Sequence, residues 1–75
     1  MIFIKIYRVF FFNTSGMRRE IGKGRTAKKA NKVIARFLNE KNYKSHYWRF
    51  WEEDGCTRID VGSWFEFFDI KEEVI

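Results

Sequence analysis

His46 and Cys56 are each the sole residue of their type in a chain of 75. A thiolate activated by imidazole needs those two side chains in contact. Cys56 directly follows Asp54-Gly55, a strong two-residue hairpin signal, whereas His46 falls at the open end of the same hairpin. At ~3.3 Å per residue along a strand, they stand far beyond hydrogen-bond reach. They read as a surface histidine and a small strand-end cysteine. Glu52, Glu53 and Asp54 are adjacent, and clustered carboxylates can hold a hard cation. Such loops wrap the ion with several oxygens over a longer segment, which a tight turn does not do, so a solvated turn is expected. With one cysteine, neither an intramolecular disulfide nor a cysteine-based zinc cluster can form, as fits a reducing compartment. The expectation is a protein that is not an enzyme and uses no metal or cofactor.

Two other constellations suit binding. Gly22-Lys23-Gly24-Arg25-Thr26 has the glycines and cations of a phosphate-cradling loop but lacks the Walker A spacing and its Lys-Ser/Thr pair. Lys28 and Lys29 follow in the first turn of a helix, where the macrodipole is already positive and an acid would be stabilising. Either an anion docks on the free amides there, or the lysines serve solubility. Tyr47, Arg49, Trp51 and Arg58 form the second constellation, alternating rings and guanidiniums across a hairpin. On a sheet they can stack bases and contact phosphates. They could equally anchor a protein interface, where Trp, Tyr and Arg dominate, or pack beneath the helix.

The passage Met17-Arg18-Arg19-Glu20-Ile21-Gly22-Lys23-Gly24-Arg25-Thr26-Ala27-Lys28-Lys29-Ala30 resembles the strand-to-helix passage of the arm-type DNA-binding domains of tyrosine integrases. Those domains have a basic strand, then an aromatic residue, Thr, lysines and Ala opening a helix. Here Arg25 stands near the family's aromatic, and two more strands follow where that family ends. The resemblance covers 14 of 75 residues. It implies at most a similar way of presenting basic residues to DNA, and no family is assigned on it.

The elements that must position these residues follow from periodicity. Ile2 to Phe12 is β-branched and aromatic throughout and reads as a strand. Asn13-Thr14-Ser15-Gly16 is a turn, and Met17 to Lys23 alternates as the second strand of a hairpin. Thr26 suits a helix N-cap. Ala27, Ala30, Ile34, Phe37 and Leu38 form the buried stripe, with Val33 at its edge. Lys28, Lys29, Lys32 and Arg36 fall on the solvent side, and the helix fades between Asn39 and Asn42. The second hairpin pairs Glu53 with Cys56, Trp51 with Arg58, Phe50 with Ile59, Arg49 with Asp60 and Trp48 with Val61. One face then carries Trp48, Phe50, Ile59 and Val61. The other sets Trp51 against Arg58 as a cation–π pair and Arg49 against Asp60 as an ion pair. Residues 64–71 are ambiguous. Ser63-Trp64-Phe65-Glu66 matches a helix capping box, but Trp and Phe crowd a pleated surface more readily. A strand continuing through a bulge at Gly62 is therefore favoured.

Residues 1–75 are expected to form a single compact α+β domain, order β-β-α-β-β, with an antiparallel sheet packed on one helix. Its core should include Ile4, Ile6, Ile21, Ala30, Ile34, Phe37, Leu38, Phe50, Ile59 and Val61. The greasy opening stretch contains Lys5 and Arg8 and no small-residue cleavage site follows it. It is also shorter than the ~20 residues of a membrane span, so a cytoplasmic protein without a membrane partner is expected. Aromatic residues are 20% of the chain, too many for so small a domain to hide, and exposed aromatic area signals binding. Residues 1–49 hold thirteen Lys/Arg against Glu20 and Glu40, while residues 50–75 hold two against eight acids. Either the basic half meets phosphates, or the halves neutralise each other on folding.

Two functions fit. One is a nucleic-acid-binding module, with Arg18, Arg19, Lys23, Arg25, Lys28, Lys29, Lys32 and Arg36 on phosphates and Tyr47, Arg49 and Trp51 stacking. The other is a small inhibitor or adaptor, of the kind phages and other mobile elements encode, that docks on a larger host protein. Homodimerisation through the exposed sheet face is compatible with both.

Overall fold

A computed structural model describes residues 3–44 and 47–75. His46 therefore lies outside the described residues, as do Met1, Ile2 and Ser45. The elements run β1 (Lys5–Asn13), β2 (Arg18–Gly24), α1 (Ala27–Glu40), β3 (Arg49–Glu53), β4 (Cys56–Asp60) and β5 (Glu66–Val74). The fold is α+β: an antiparallel sheet in the order β2-β1-β5-β4-β3, with α1 packed on one face. No helix among the described residues is long and apolar enough to cross a membrane.

The locally encoded pieces form as the residues dictate. Thr26 Oγ1 accepts a hydrogen bond from Lys29 N at 3.1 Å, satisfying an amide that the helix leaves unpaired. Ala30, Ile34 and Leu38 are buried beneath α1, with Val33 and Phe37 packed around them; Ala27 is exposed, one turn too early to reach the sheet. In the β3–β4 hairpin, Glu53 pairs with Cys56, Trp51 with Arg58, Phe50 with Ile59 and Arg49 with Asp60. Asp54 and Gly55 both take positive φ, 53° and 77°, as a type I′ turn demands. β3 itself begins at Arg49, so the pairing expected of Trp48 with Val61 lies beyond the ladder; Trp48 packs against the core instead.

The tail departs from expectation in its placement. It is a strand, but it does not continue β4 through a bulge. Gly62 sits at φ 94° in a turn that reverses the chain. β5 then inserts between β1 and β4, pairing Asn13 to Lys5 on one side and Thr57 to Ile59 on the other. It is the central strand of a five-stranded sheet, which explains its run of three buried residues, Phe68, Asp69 and Ile70.

β1 presents its faces in the opposite phase to that expected. Val9 and Phe11 enter the core, opposite Ile70 and Phe68, whereas Ile4 is exposed and Ile6 only half-buried. Ile21 is likewise half-buried, displaced by a bulge where Val9 pairs with Gly22 and Phe10 with Glu20. Phe50 is exposed because α1 lies over β2 and β1 and does not reach the β3 edge. Gly22 and Gly24 set how closely that helix approaches. A Cβ on Gly22 would stand 2.6 Å from a Val33 methyl, and one on Gly24 would stand 3.0 Å from the Ala30 backbone nitrogen.

Candidate nucleic-acid interface

The strand pairing divides the charged residues between two surfaces with different fates. On the sheet face away from α1, arginines alternate with rings and meet carboxylates. Asp69, only 1% exposed, accepts from Arg18 Nη1 at 2.7 Å and from Arg58 Nε at 2.9 Å. Arg18 lies 4.4 Å over the Phe10 ring and Arg58 lies 4.7 Å over Phe12, which stacks on Phe67 at 5.5 Å. Arg8 bridges Glu73 at 2.6 Å and Glu20 at 3.3 Å. A carboxylate held by two guanidiniums, each resting on an aromatic face, satisfies charge from both halves of the chain. The cation–π partner of Arg58 is thus Phe12, while the Trp51 indole donates to Glu53 at 2.9 Å.

Around α1 the outcome is the reverse. Arg19, Lys23, Arg25, Lys28, Lys29, Lys32 and Arg36 are all exposed, and among the described residues none forms an ion pair. Lys28, Lys32 and Arg36 succeed one another at i, i+4, a cationic stripe about 12 Å long at 1.5 Å per residue. Lys29 flanks it, with Lys23 and Arg25 just before the helix start. Like charges at that spacing destabilise a helix, and the first turn contains no acid to offset them. Lys23 and Arg36 also line a cleft of about 300 Å³ between β2 and α1, with Ile21, Val33, Phe37 and Glu40. Arg19 rests 5.8 Å over the Phe37 ring. The charge distribution is therefore resolved differently on the two surfaces. Arg8, Arg18, Arg49 and Arg58 are neutralised across the sheet, and the set on β2 and α1 is left to solvent.

The aromatic constellation lies elsewhere. Tyr47, Trp51, Trp64 and Phe67 line a cleft of about 310 Å³ at the β3 edge, with Arg49 and Asp60. Arg49 sits 5.4 Å over the Tyr47 ring and donates to Asp60 at 2.6 Å. That hydrogen bond is the main reason the Asp60 carboxyl is held below its ordinary range; burial opposes it, and the Gly62 amide adds to it. Arg58 belongs to the Asp69 cluster and is not part of this cleft. Trp64 and Phe67 join it although nothing in the spacing of the rings marked them for it. The signal that could have found them is the Ser63-x-x-Glu66 spacing, which here makes a turn: Ser63 Oγ accepts from the amides of Phe65 and Glu66.

The cationic surface and the aromatic cleft are not brought together. The cleft's strand residues run from β3 to the central strand β5, while the cations lie on β2 and α1. Cys56 is buried as a free thiol, Glu52 accepts from the Thr57 hydroxyl, and Glu53 is engaged by Arg58 and Trp51. Among the described residues, no group of three or more His, Cys, Asp or Glu could hold a metal ion. No protein-family model, curated protein or solved structure matches the chain.

Proposed function

We propose that this chain is a non-enzymatic nucleic-acid-binding module that grips phosphates with β2 and the solvent face of α1. One observation carries the reading: seven exposed Lys/Arg side chains of β2, the β2–α1 connection and α1 have no ion-pair partner among the described residues. Cations gathered against helix preference are otherwise a cost to the fold. Phosphate contacts supply sequence-independent affinity and release counterions, so binding should fall linearly with salt on logarithmic axes. Arg18 contributes less to the contact set, because its charge is already paired with Asp69. Titration of labelled DNA and RNA at two salt concentrations tests the proposal, and an absence of binding at low salt ends it.

A second reading, an adaptor or inhibitor that docks on a larger protein, is favoured by the turn between β4 and β5. Trp64 is 87% exposed and Phe65 66% exposed, and large rings left in water are typical interface anchors. A pull-down from nuclease-treated lysate separates the two. A stoichiometric protein that survives the nuclease favours docking, while recovery of nucleic acid alone favours the module. Light scattering would show whether either form is a dimer.

A further inference from the structure

We infer that the cleft between β3 and the β4–β5 turn is a clamp for a nucleobase, closed by Trp64. The inference rests on the nucleic-acid reading and adds to it a preference for unpaired bases, whose faces are free to stack.

Three walls of the cleft are held before any ligand arrives. Trp51 is fixed by its indole N–H on Glu53. Tyr47 lies against Gly62, with its ring carbons 3.7 and 3.8 Å from where a Cβ would be, and beneath the Arg49 guanidinium. Phe67 is stacked on Phe12 at an interplanar angle of 24°. Of these four rings, Trp64 alone has neither a side-chain hydrogen bond nor a ring or cation against it among the described residues. Yet the backbone around it is pinned. Asp60 Oδ1 accepts from Gly62 N at 2.8 Å, Ser63 Oγ accepts from the Phe65 and Glu66 amides, and Phe65 O accepts from Thr14 N at 3.0 Å. A fixed turn presenting one unpartnered indole beside three fixed rings is preorganised for a flat aromatic ligand. The cleft volume, about 310 Å³, falls at the lower end for small-ligand sites.

The polar groups suit a base as well. Arg49 spends one N–H on Asp60, and a guanidinium has five, so donors remain for ring nitrogens or carbonyls at the base edge. The Arg49–Asp60 pair leaves the cleft wall close to neutral, which suits a base more than its phosphate. The base could come from a single strand or from a free nucleotide.

The experiment compares wild type, Trp64→Ala and Trp64→Phe against three probes: a single-stranded oligonucleotide, a duplex of equal length and adenosine monophosphate. Readouts are anisotropy and quenching of tryptophan fluorescence. Because Trp64 is exposed, its truncation should not disturb folding, and thermal melts check this. The expected result is a loss of single-strand affinity of about 5- to 150-fold in Trp64→Ala, the effect of one stacked base. Trp64→Phe should recover most of it, and duplex affinity should stay within about twofold, since stacked bases offer no free face. If adenosine monophosphate quenches wild type but not Trp64→Ala, and the strand binds no better than the mononucleotide, the clamp stands with a free nucleotide as its source. Equal affinity of Trp64→Ala and wild type for every probe overturns the clamp while leaving phosphate binding by α1 intact. So does a variant that loses only a protein captured from nuclease-treated lysate. Absence of oligonucleotide binding, with mononucleotide quenching retained and sensitive to Trp64, would instead sink the phosphate-binding surface and spare the clamp.

Discussion

Lys28→Glu together with Lys29→Glu should push stability and binding in opposite directions, and that opposition tests the cationic surface most directly. Both residues occupy the first turn of α1, which contains no acid. Carboxylates there complement the helix dipole. The one at position 29 would also complete a capping box with Thr26, whose hydroxyl already accepts from the Lys29 amide at 3.1 Å. A gain on the order of 1 kcal/mol corresponds to a rise in Tm of about 4–8 °C for a domain this size. Binding should weaken. Each phosphate contact contributes about 0.9 to the slope of log K against log salt on duplex DNA, so a fourfold rise in salt costs about 3.5-fold per contact. If all seven unpaired cations engage, the wild type loses roughly 6,000-fold between about 50 and 200 mM salt, and the variant roughly 500-fold. The slope should therefore fall by about 1.8. Thermal melts and fluorescence anisotropy across a series of salt concentrations give both numbers from one preparation. A variant that melts higher but keeps the wild-type affinity and slope would reduce the lysines to solubilising residues and remove the phosphate surface.

Other perturbations test the framework that holds these surfaces. Asp69→Ala would strip Arg18 and Arg58 of their shared acceptor. Because both guanidiniums keep some access to water, the loss should be about 1.5–3 kcal/mol in urea unfolding. Gly24→Ala would drive a methyl to within 3.0 Å of the Ala30 backbone nitrogen, and the helix must shift, at about 1–3 kcal/mol by the same assay. Asp60 and Glu73 are held below the ordinary carboxylate range, chiefly by hydrogen bonds from Arg49 and Arg8. Groups with depressed folded values bind fewer protons when folded, so their stabilisation is complete above about pH 5 and drains away as pH falls through the range below about 4. Melts across that range should show the decline, and Arg49→Gln should flatten the part due to Asp60. A decline unaltered by that substitution would discount the Arg49–Asp60 pair.

What the chain encodes unaided is whatever depends on neighbours in sequence. The β3–β4 register follows from Asp54-Gly55, since a two-residue turn leaves only one pairing that sorts Ile59 from Asp60. The helix follows from the spacing of Ala30, Ile34 and Leu38, and its start from the Thr26 hydroxyl. The exposure of Lys28, Lys29, Lys32 and Arg36 follows from the same period. Everything that depends on distant partners was settled by how the strands assemble. β1 carries large apolar residues and one cation on each side, so alternation could not say whether Ile6 or Val9 faces inward. The arrival of β5 beside it set the phase, by placing Ile70 against Val9 and Phe68 against Phe11. That same insertion delivered Asp69 to Arg18 and Arg58, residues 51 and 11 positions away, and paired their charges within the sheet. It also brought Phe67 into the aromatic cleft, with Trp64 on the turn that leads into the strand. Local hydrogen bonds and hydrophobic periods act over a few residues, whereas a cation is neutralised by whichever carboxylate the sheet order places opposite it.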